Sequence, residues 1–327
     1  MKVLVTGASG FLGGWVAELL SKQNHDVRVL VRKTSNKKHL ESLDRIEFAE
    51  GAVEDADAVA KAVEGVDAII HSAGLVKAKD DDEFHRVNVQ GTRNLIAAAK
   101  RSDAKLRRFV QVSSLEVSGP SRDGKPVPVE QEDPCTAYGR SKKAAEKAVL
   151  EAKSDLPITI LRPGAIYGPR DTEILDAFKS VSRGLMPTIS GGKALGVFVY
   201  GPDCAAACIK AVDADVPSGS IYFVVDRTGP MTQKEFLETV EKALGKRALV
   251  RLSLPAGLLK TVARGVALYG KAADKAVMLN PEKANMLLQH FVCDASRTFE
   301  DLKWDPQWSL NDGVQETADW YRAKGWI

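Results

Sequence analysis

The sequence predicts an α/β fold, a doubly wound parallel sheet with a smaller C-terminal region, and three observations carry that prediction. A short apolar run near the N-terminus, Val3-Leu4-Val5, is followed by three glycines at a spacing of three, Gly7, Gly10 and Gly13. Apolar runs of strand length then alternate with helical patterns through the first half of the chain. Glycine and proline gather later, at 163–169 and 184–201, where the alternation stops.

Each element has its own justification. Residues 3–5 have the composition of a strand buried on both faces. The Ala-, Leu- and Glu-rich stretch 15–22 reads as the helix after the glycine turn. A second strand is expected at 27–31 and a short third at 46–48. A helix over 57–63 leads to a fourth strand, Ala68-Ile-Ile-His71. A long helix over 84–101 turns Leu95, Ile96, Ala98 and Ala99 toward the core. Strand 109–112, a second long helix over 138–153 and strand 158–161 complete the series. Such alternation puts helices on both faces of a Rossmann-type sheet and ligands above the carboxyl ends of its strands. The dinucleotide-binding domain is therefore placed at 1–165. Residues 166–327 are expected to be mainly substrate-binding, with part of them returning to the first domain.

One C-terminal stretch, 256–279, stands apart. Leu258, Leu259, Val262, Val266 and Tyr269 suggest an apolar helical face, while Lys260, Arg264, Lys271 and Lys275 fall on one basic stripe. Two readings stand: a surface helix packed on the core, or a lid or an interfacial, membrane-touching helix.

Composition sets the class. The 327 residues are 44% hydrophobic and 27% charged, as in an ordinary soluble globular protein. A formal net charge of +3, from 46 basic and 43 acidic residues, argues against a nucleic-acid surface spread over the molecule. Cys135, Cys204, Cys208 and Cys293 are too few for a disulfide framework. Cys204 and Cys208 sit in an Ala-rich helical segment with no nearby His, so small buried residues are expected rather than a metal pair. No leader pattern and no apolar stretch of spanning length is visible, and the expected compartment is the cytoplasm.

The strand, glycine turn and helix at the N-terminus make an anion site. A turn without side chains lets the backbone approach a pyrophosphate, and the first helical N–H groups point at it. The end of the second strand, where an acid usually binds the adenosine ribose, carries Val31, Arg32 and Lys33 instead. A guanidinium there can hold a 2′-phosphate that an acid would repel, which favours NADP, with NAD as the alternative. Ala73 and Gly74 are small residues where a backbone must approach the ribose. His71 reads as a packed core histidine, and Asp80-Asp-Asp-Glu83 as a solvated run leading into the next helix.

The second informative feature is Tyr138-Gly-Arg-Ser-Lys142. Positions i and i+4 share a helix face, so the Lys142 ammonium can lie beside the Tyr138 phenol and lower its pKa. Such a pair can protonate a carbonyl oxygen as hydride arrives, or remove the proton in reverse. Ser113-Ser114 ends the preceding strand, where a hydroxyl can bind the reacting oxygen.

With these motifs in order, the sequence resembles an extended short-chain dehydrogenase/reductase of the NAD(P)-dependent epimerase/dehydratase superfamily. Thr6-Gly-Ala-Ser-Gly-Phe-Leu-Gly13, His71-Ser-Ala-Gly74, Asn88-Val-Gln-Gly-Thr92, Ser113-Ser114, Tyr138-x-x-x-Lys142 and Arg162-Pro-Gly-Ala-Ile-Tyr-Gly-Pro169 carry the likeness over most of the chain. Ser114-Leu-Glu-Val-Ser-Gly-Pro120 and the Tyr138 helix look closest to the 3β-hydroxysteroid dehydrogenase branch. The resemblance implies Tyr138 as acid/base, Lys142 on the nicotinamide ribose and the tyrosine pKa, and Ser114 on the substrate oxygen. It further implies cofactor contacts from Gly7, Ser9, Gly10, Phe11, Leu12, Gly13, Arg32, Val53, Ala73, Gly74, Pro163, Ala165 and Ile166. Asn88 is expected to fix a backbone, and the family implies a homodimer formed by helix packing.

Departures narrow the activity. Ala52 replaces an Asp that relatives often carry near the adenine, leaving that contact to backbone and Val53. Ala165 stands where sugar-nucleotide epimerases commonly have a diphosphate-binding Asn. Leu115 breaks the Asp-Glu pair of the 4,6-dehydratases, which argues against water elimination. The leading expectation is an NADP(H)-dependent oxidoreductase interconverting a secondary alcohol and a ketone on a bulky apolar, steroid- or lipid-like small molecule. The alternatives are a nucleotide-sugar epimerase or reductase with tightly bound cofactor, and a cofactor-binding regulator without turnover.

Overall fold

The computed structural model describes residues 1–102 and 105–327. The chain opens with β1 (Lys2–Thr6), α1 (Phe11–Lys22), β2 (Asp26–Val31), the single turn α2 (Lys38–Glu41) and β3 (Ile46–Glu50). It continues through α3 (Ala56–Val63), β4 (Ala68–His71), α4 (Asp81–Phe84), α5 (Gly91–Arg101), β5 (Arg108–Val112), α6 (Ala137–Leu150) and β6 (Ile158–Pro163). A π-helical stretch over His85–Gln90 joins α4 to α5, so the long helix expected from residue 84 changes pitch where it passes the sheet's carboxyl edge.

The inner strands are covered on both faces, whereas the edge strand β3 keeps Glu47 and Phe48 exposed. Every residue of β4, β5 and β6 is buried. The alternation along β1 divides the core: Val3 and Val5 pack with Val16, Leu20 and Ala205, while Leu4 packs with Ile69, Leu95 and Val149 on the opposite face. Leu95, Ile96, Ala98 and Ala99 are buried as their spacing predicts. Side-chain caps start the helices cleanly: Asp55 accepts from the amides of Asp57 and Ala58, and Thr136 from Gly139.

The second half contributes β7 (Ala165–Tyr167), α7 (Leu175–Ser182), β8 (Leu185–Ile189), β9 (Leu195–Gly196), β10 (Phe198–Tyr200), α8 (Gly201–Asp213) and β11 (Ser220–Val224). Then come β12 (Met231–Thr232), α9 (Gln233–Leu244), β13 (Val250–Leu254), α10 (Ala256–Ala272), α11 (Pro281–Met286), α12 (Ser296–Asp301) and α13 (Leu310–Ala323). The sheet does not close at residue 161. Strand β11 returns to pair in parallel with β6, giving seven parallel strands in the order β11-β6-β5-β4-β1-β2-β3. Helix α8 packs on α1, where an added Cβ on Gly201 would lie 2.8 Å from the Phe11 ring. Cys204 and Cys208 are fully buried in that contact. A separate core of Tyr167, Phe178, Phe198, Phe236 and Tyr321 unites α7, α9 and α13.

The stretch at 256–279 is helical only over α10. Of its expected apolar face Leu259 is buried, but Leu258, Val262 and Tyr269 face solvent. Lys275 lies beyond the helix end, so the basic stripe is Lys260, Arg264 and Lys271. Among the described residues no helix is long and apolar enough to cross a membrane.

Candidate active site

A cleft of about 590 Å³ opens at the carboxyl ends of the parallel strands. Its first wall is the turn after β1. Gly7 has φ +75°, and a Cβ there would sit 2.7 Å from the Ala73 amide nitrogen. A Cβ on Gly13 would sit 2.4 Å from the Gly7 carbonyl oxygen, so the turn closes on itself only without side chains. Gly10 starts α1 with no side-chain cap and no acid in the first turn. The leading N–H groups and the positive end of the helix are thus left to an anion.

The rest of the lining follows the strand ends in order. Gly7, Ser9, Gly10, Phe11, Leu12 and Gly13 come from the first turn, Arg32 from the end of β2, and Val53 from the loop after β3. Ala73 and Gly74 follow β4, Ser114 follows β5, and Pro163 and Ile166 flank the exit from β6, opposite Tyr138 and Lys142 on α6. Ala165 does not line the cleft. Its amide bonds the Val197 carbonyl at 2.9 Å and its side chain is exposed, because β7 turns away to pair with β10. The Arg32 guanidinium is exposed and has no ion-pair partner among the described residues.

Helix α6 is fixed from beneath by an ion pair. Arg162 is wholly buried; its Nε and Nη2 donate to the two carboxylate oxygens of Glu146 at 2.9 and 2.7 Å, and Nη1 to the Ser118 hydroxyl at 3.1 Å. Truncating either partner would strand a buried charge. One turn earlier on α6, Lys142 donates from Nζ to the Val112 carbonyl at 2.6 Å. Burial pulls the Lys142 ammonium down to about 8, with Glu146 opposing.

The phenol of Tyr138 behaves differently from the expectation. Burial pushes it well above its ordinary value, the nearby Glu116 carboxylate adds to the rise, and a hydrogen bond with Ser114 opposes it. The ammonium of Lys142 is engaged by backbone instead of the phenol, so the chain by itself keeps Tyr138 protonated at neutral pH. Ser114 Oγ accepts from the Glu116 amide at 3.1 Å, which leaves its own proton to donate into the cleft.

Supporting residues have structural partners. Asn88, in the π-helical stretch, clamps Leu75 through both amide and carbonyl (2.7 and 3.0 Å) and donates to Ser141 at 2.9 Å. His71 is buried between the hydroxyls of Thr6 and Thr92, and burial drives its imidazole down to about 3, so it stays neutral. Asp80 caps α4 at the Glu83 amide.

Several lining residues escaped the motifs. Ser35 closes a turn back to the Arg32 carbonyl at 2.9 Å and stands beside it in the wall. Leu75, Val76, Val87, Arg86 and Thr172 also line the cleft. Their only signal in sequence is position, just past a strand end or a conformational break. Ser113, beside Ser114, lines the cleft with a buried hydroxyl that has no hydrogen-bond partner among the described residues. The glycine cradle, the uncapped helix start and this orphan hydroxyl fit a nicotinamide dinucleotide.

Comparisons with known proteins agree. Residues 3–224 match the NAD dependent epimerase/dehydratase family. The chain is 32% identical over 327 residues to a ceramide reductase of Caulobacter vibrioides, covering 99% of this chain and 96% of that one. It is 30% identical over 343 residues to a 3 beta-hydroxysteroid dehydrogenase/Delta 5-->4-isomerase of Mycobacterium tuberculosis, covering 98% and 90%. A UDP-glucuronic acid 4-epimerase of Bacillus cereus, solved with UDP-glucuronic acid and NAD, aligns with a TM-score of 0.79 over 99% of this chain and 100% of its own. At 23% identity, that is a likeness of fold.

Proposed function

The chain belongs to the NAD dependent epimerase/dehydratase family and is an NAD(P)-dependent oxidoreductase, and on that premise we propose that it interconverts a ketone and a secondary alcohol on a bulky apolar, steroid- or lipid-like molecule with NADP(H). The observation that carries this reading is the Tyr138 phenol, held protonated and hydrogen-bonded to Ser114 in the cleft. A protonated phenol is the acid that ketone reduction requires.

A bound nicotinamide dinucleotide supplies hydride to the carbonyl carbon. Tyr138 gives its phenolic proton to the carbonyl oxygen as charge develops there, and the Ser114 hydroxyl donates to the same oxygen. Lys142, charged below about 8, offers its remaining ammonium protons toward the ribose. The turn Gly7 to Gly13 and the start of α1 would hold the pyrophosphate. Arg32 and Ser35 would hold a 2′-phosphate. Leu75, Val76, Val87 and Ile166 give the lining an apolar share suited to a hydrocarbon body. Two of the relatives carry ceramide and hydroxysteroid in their names, which supports that class.

The test follows loss of reduced-nicotinamide absorbance with NADPH and NADH separately, against keto-steroids, long-chain ketones and β-keto acids, with Tyr138→Phe as control. NADPH-preferring turnover abolished by the substitution is expected. Conversion of a UDP-sugar with silence on every apolar ketone would overturn the reading.

A further inference from the structure

Among the described residues no other element covers the outer surface of α10, and we propose that it seats the protein on an anionic lipid membrane. The helix buries only Leu259, Ala263 and Gly270 against α11 and its neighbours. Its larger apolar side chains point the other way: Leu258 is 52% exposed, Leu268 70% and Tyr269 61%. Apolar residues on a packed surface helix normally face the core; here Leu259 alone of the large ones is buried, with Ala263 and Gly270, and Leu258, Val262, Leu268 and Tyr269 are left outside.

Charge decides what covers them. Lys260, Arg264 and Lys271, spaced four and seven, form a second exposed stripe, and α10 contains no Asp or Glu. That bias is local, since the chain holds 46 basic and 43 acidic residues. Asp274, just past the helix, is already taken by Lys79. An apolar stripe beside an unrelieved basic stripe matches acyl chains beneath anionic headgroups. A second copy of the chain fits less well, because a self-complementary contact would set the two basic stripes against each other. The segment before α10 also leaves Leu249 and Leu252 exposed, at 90% and 52%.

The helix is also tied to the cleft. Lys79, bound to Asp274, lies three residues beyond Val76 of the lining. Next in the chain, α11 places the Glu282 carboxylate on the Ala137 amide at 2.6 Å and on Arg140 at 3.0 Å, and donates from Lys283 to Glu116 at 3.0 Å. A membrane under α10 therefore lies beside the elements that carry Tyr138. The docking stands apart from the proposed reaction, because it is read without turnover.

The experiment is flotation of the purified full chain with vesicles of phosphatidylcholine alone or with phosphatidylglycerol added. Binding to the phosphatidylglycerol vesicles is expected, weakening as salt is raised. Joint Lys260→Glu, Arg264→Glu and Lys271→Glu substitution is expected to weaken it on the order of 100-fold. Leu268→Ser with Tyr269→Ser is expected to weaken it about tenfold or more, with the melting temperature of each variant checked. No binding to the anionic vesicles, or equal binding by the variants, overturns the proposal. A concentration-dependent dimer that Leu268→Ser dissolves would also overturn it, assigning the face to a second copy.

Discussion

Strand β4 and helix α10 treat apolar residues in opposite ways. All four residues of β4 are buried, as the centre of a parallel sheet demands, whereas the much longer α10 buries three. A strand with neighbours on both edges and helices on both faces has no direction in which to be exposed. A helix needs only one narrow stripe of contact, and α10 takes it through Leu259, Ala263 and Gly270. Apolar content therefore equals core in β4 and not in α10. Tyr138 and Lys142 belong to the first regime, where partners are fixed and shifts in pKa are large.

The largest expected effect lies where that regime is strictest. Tyr138→Phe removes the proposed proton donor and should lower turnover by roughly 10²–10⁴-fold while cofactor binding, measured by calorimetry, is kept. Retained turnover would show that burial around the phenol serves packing alone. Next, Ile70→Ala in β4 should cost about 2–5 kcal/mol in denaturant unfolding, since the residue is fully enclosed.

Lys142 links burial to pH. Its native value of about 8 lies below the ordinary 10.5, so over pH 8 to 10 the unfolded chain holds a proton that the native chain has released. Stability from this group therefore rises with pH across that window, and below it the buried charge is a destabilising load. Denaturant midpoints for wild type and Lys142→Met should converge or diverge only there; parallel curves would mean the ammonium is solvated. At the rim, Arg32→Ala should lower kcat/KM for NADPH by about 10–100-fold and leave NADH unchanged. An equal loss with both cofactors would place Arg32 outside 2′-phosphate recognition. The smallest effect should come from the open face: Leu268→Ser should shift stability by no more than about 0.5 kcal/mol, against the large loss at Ile70.

Much of this was legible in the residues. The strands at 3–5, 68–71, 109–112 and 158–161 announce themselves because a doubly covered strand must be apolar throughout. The glycine turn is legible because only glycine permits Gly7 and Gly13 to approach so closely. His71 and Cys204 read correctly as core. Strand β11 was missed, since Ser220-Ile-Tyr-Phe-Val follows an irregular stretch and pairs with β6 from some sixty residues away. The lining from Ser35, Leu75 and Thr172 was also invisible, because loops converge there without any shared period.

The sequence by itself determined the parallel sheet, the glycine turn and the residue types that can transfer a proton, for these rest on local spacing and on what each side chain can do. Tertiary structure alone decided the protonation bias and the exposure. It gave Lys142 to the Val112 carbonyl, left Tyr138 beside Glu116 and Ser114, turned Ala165 out of the cleft, and set Leu258, Leu268 and Tyr269 of α10 outward. Desolvation and packing depend on distant parts of the chain meeting, and one-dimensional spacing carries no record of that.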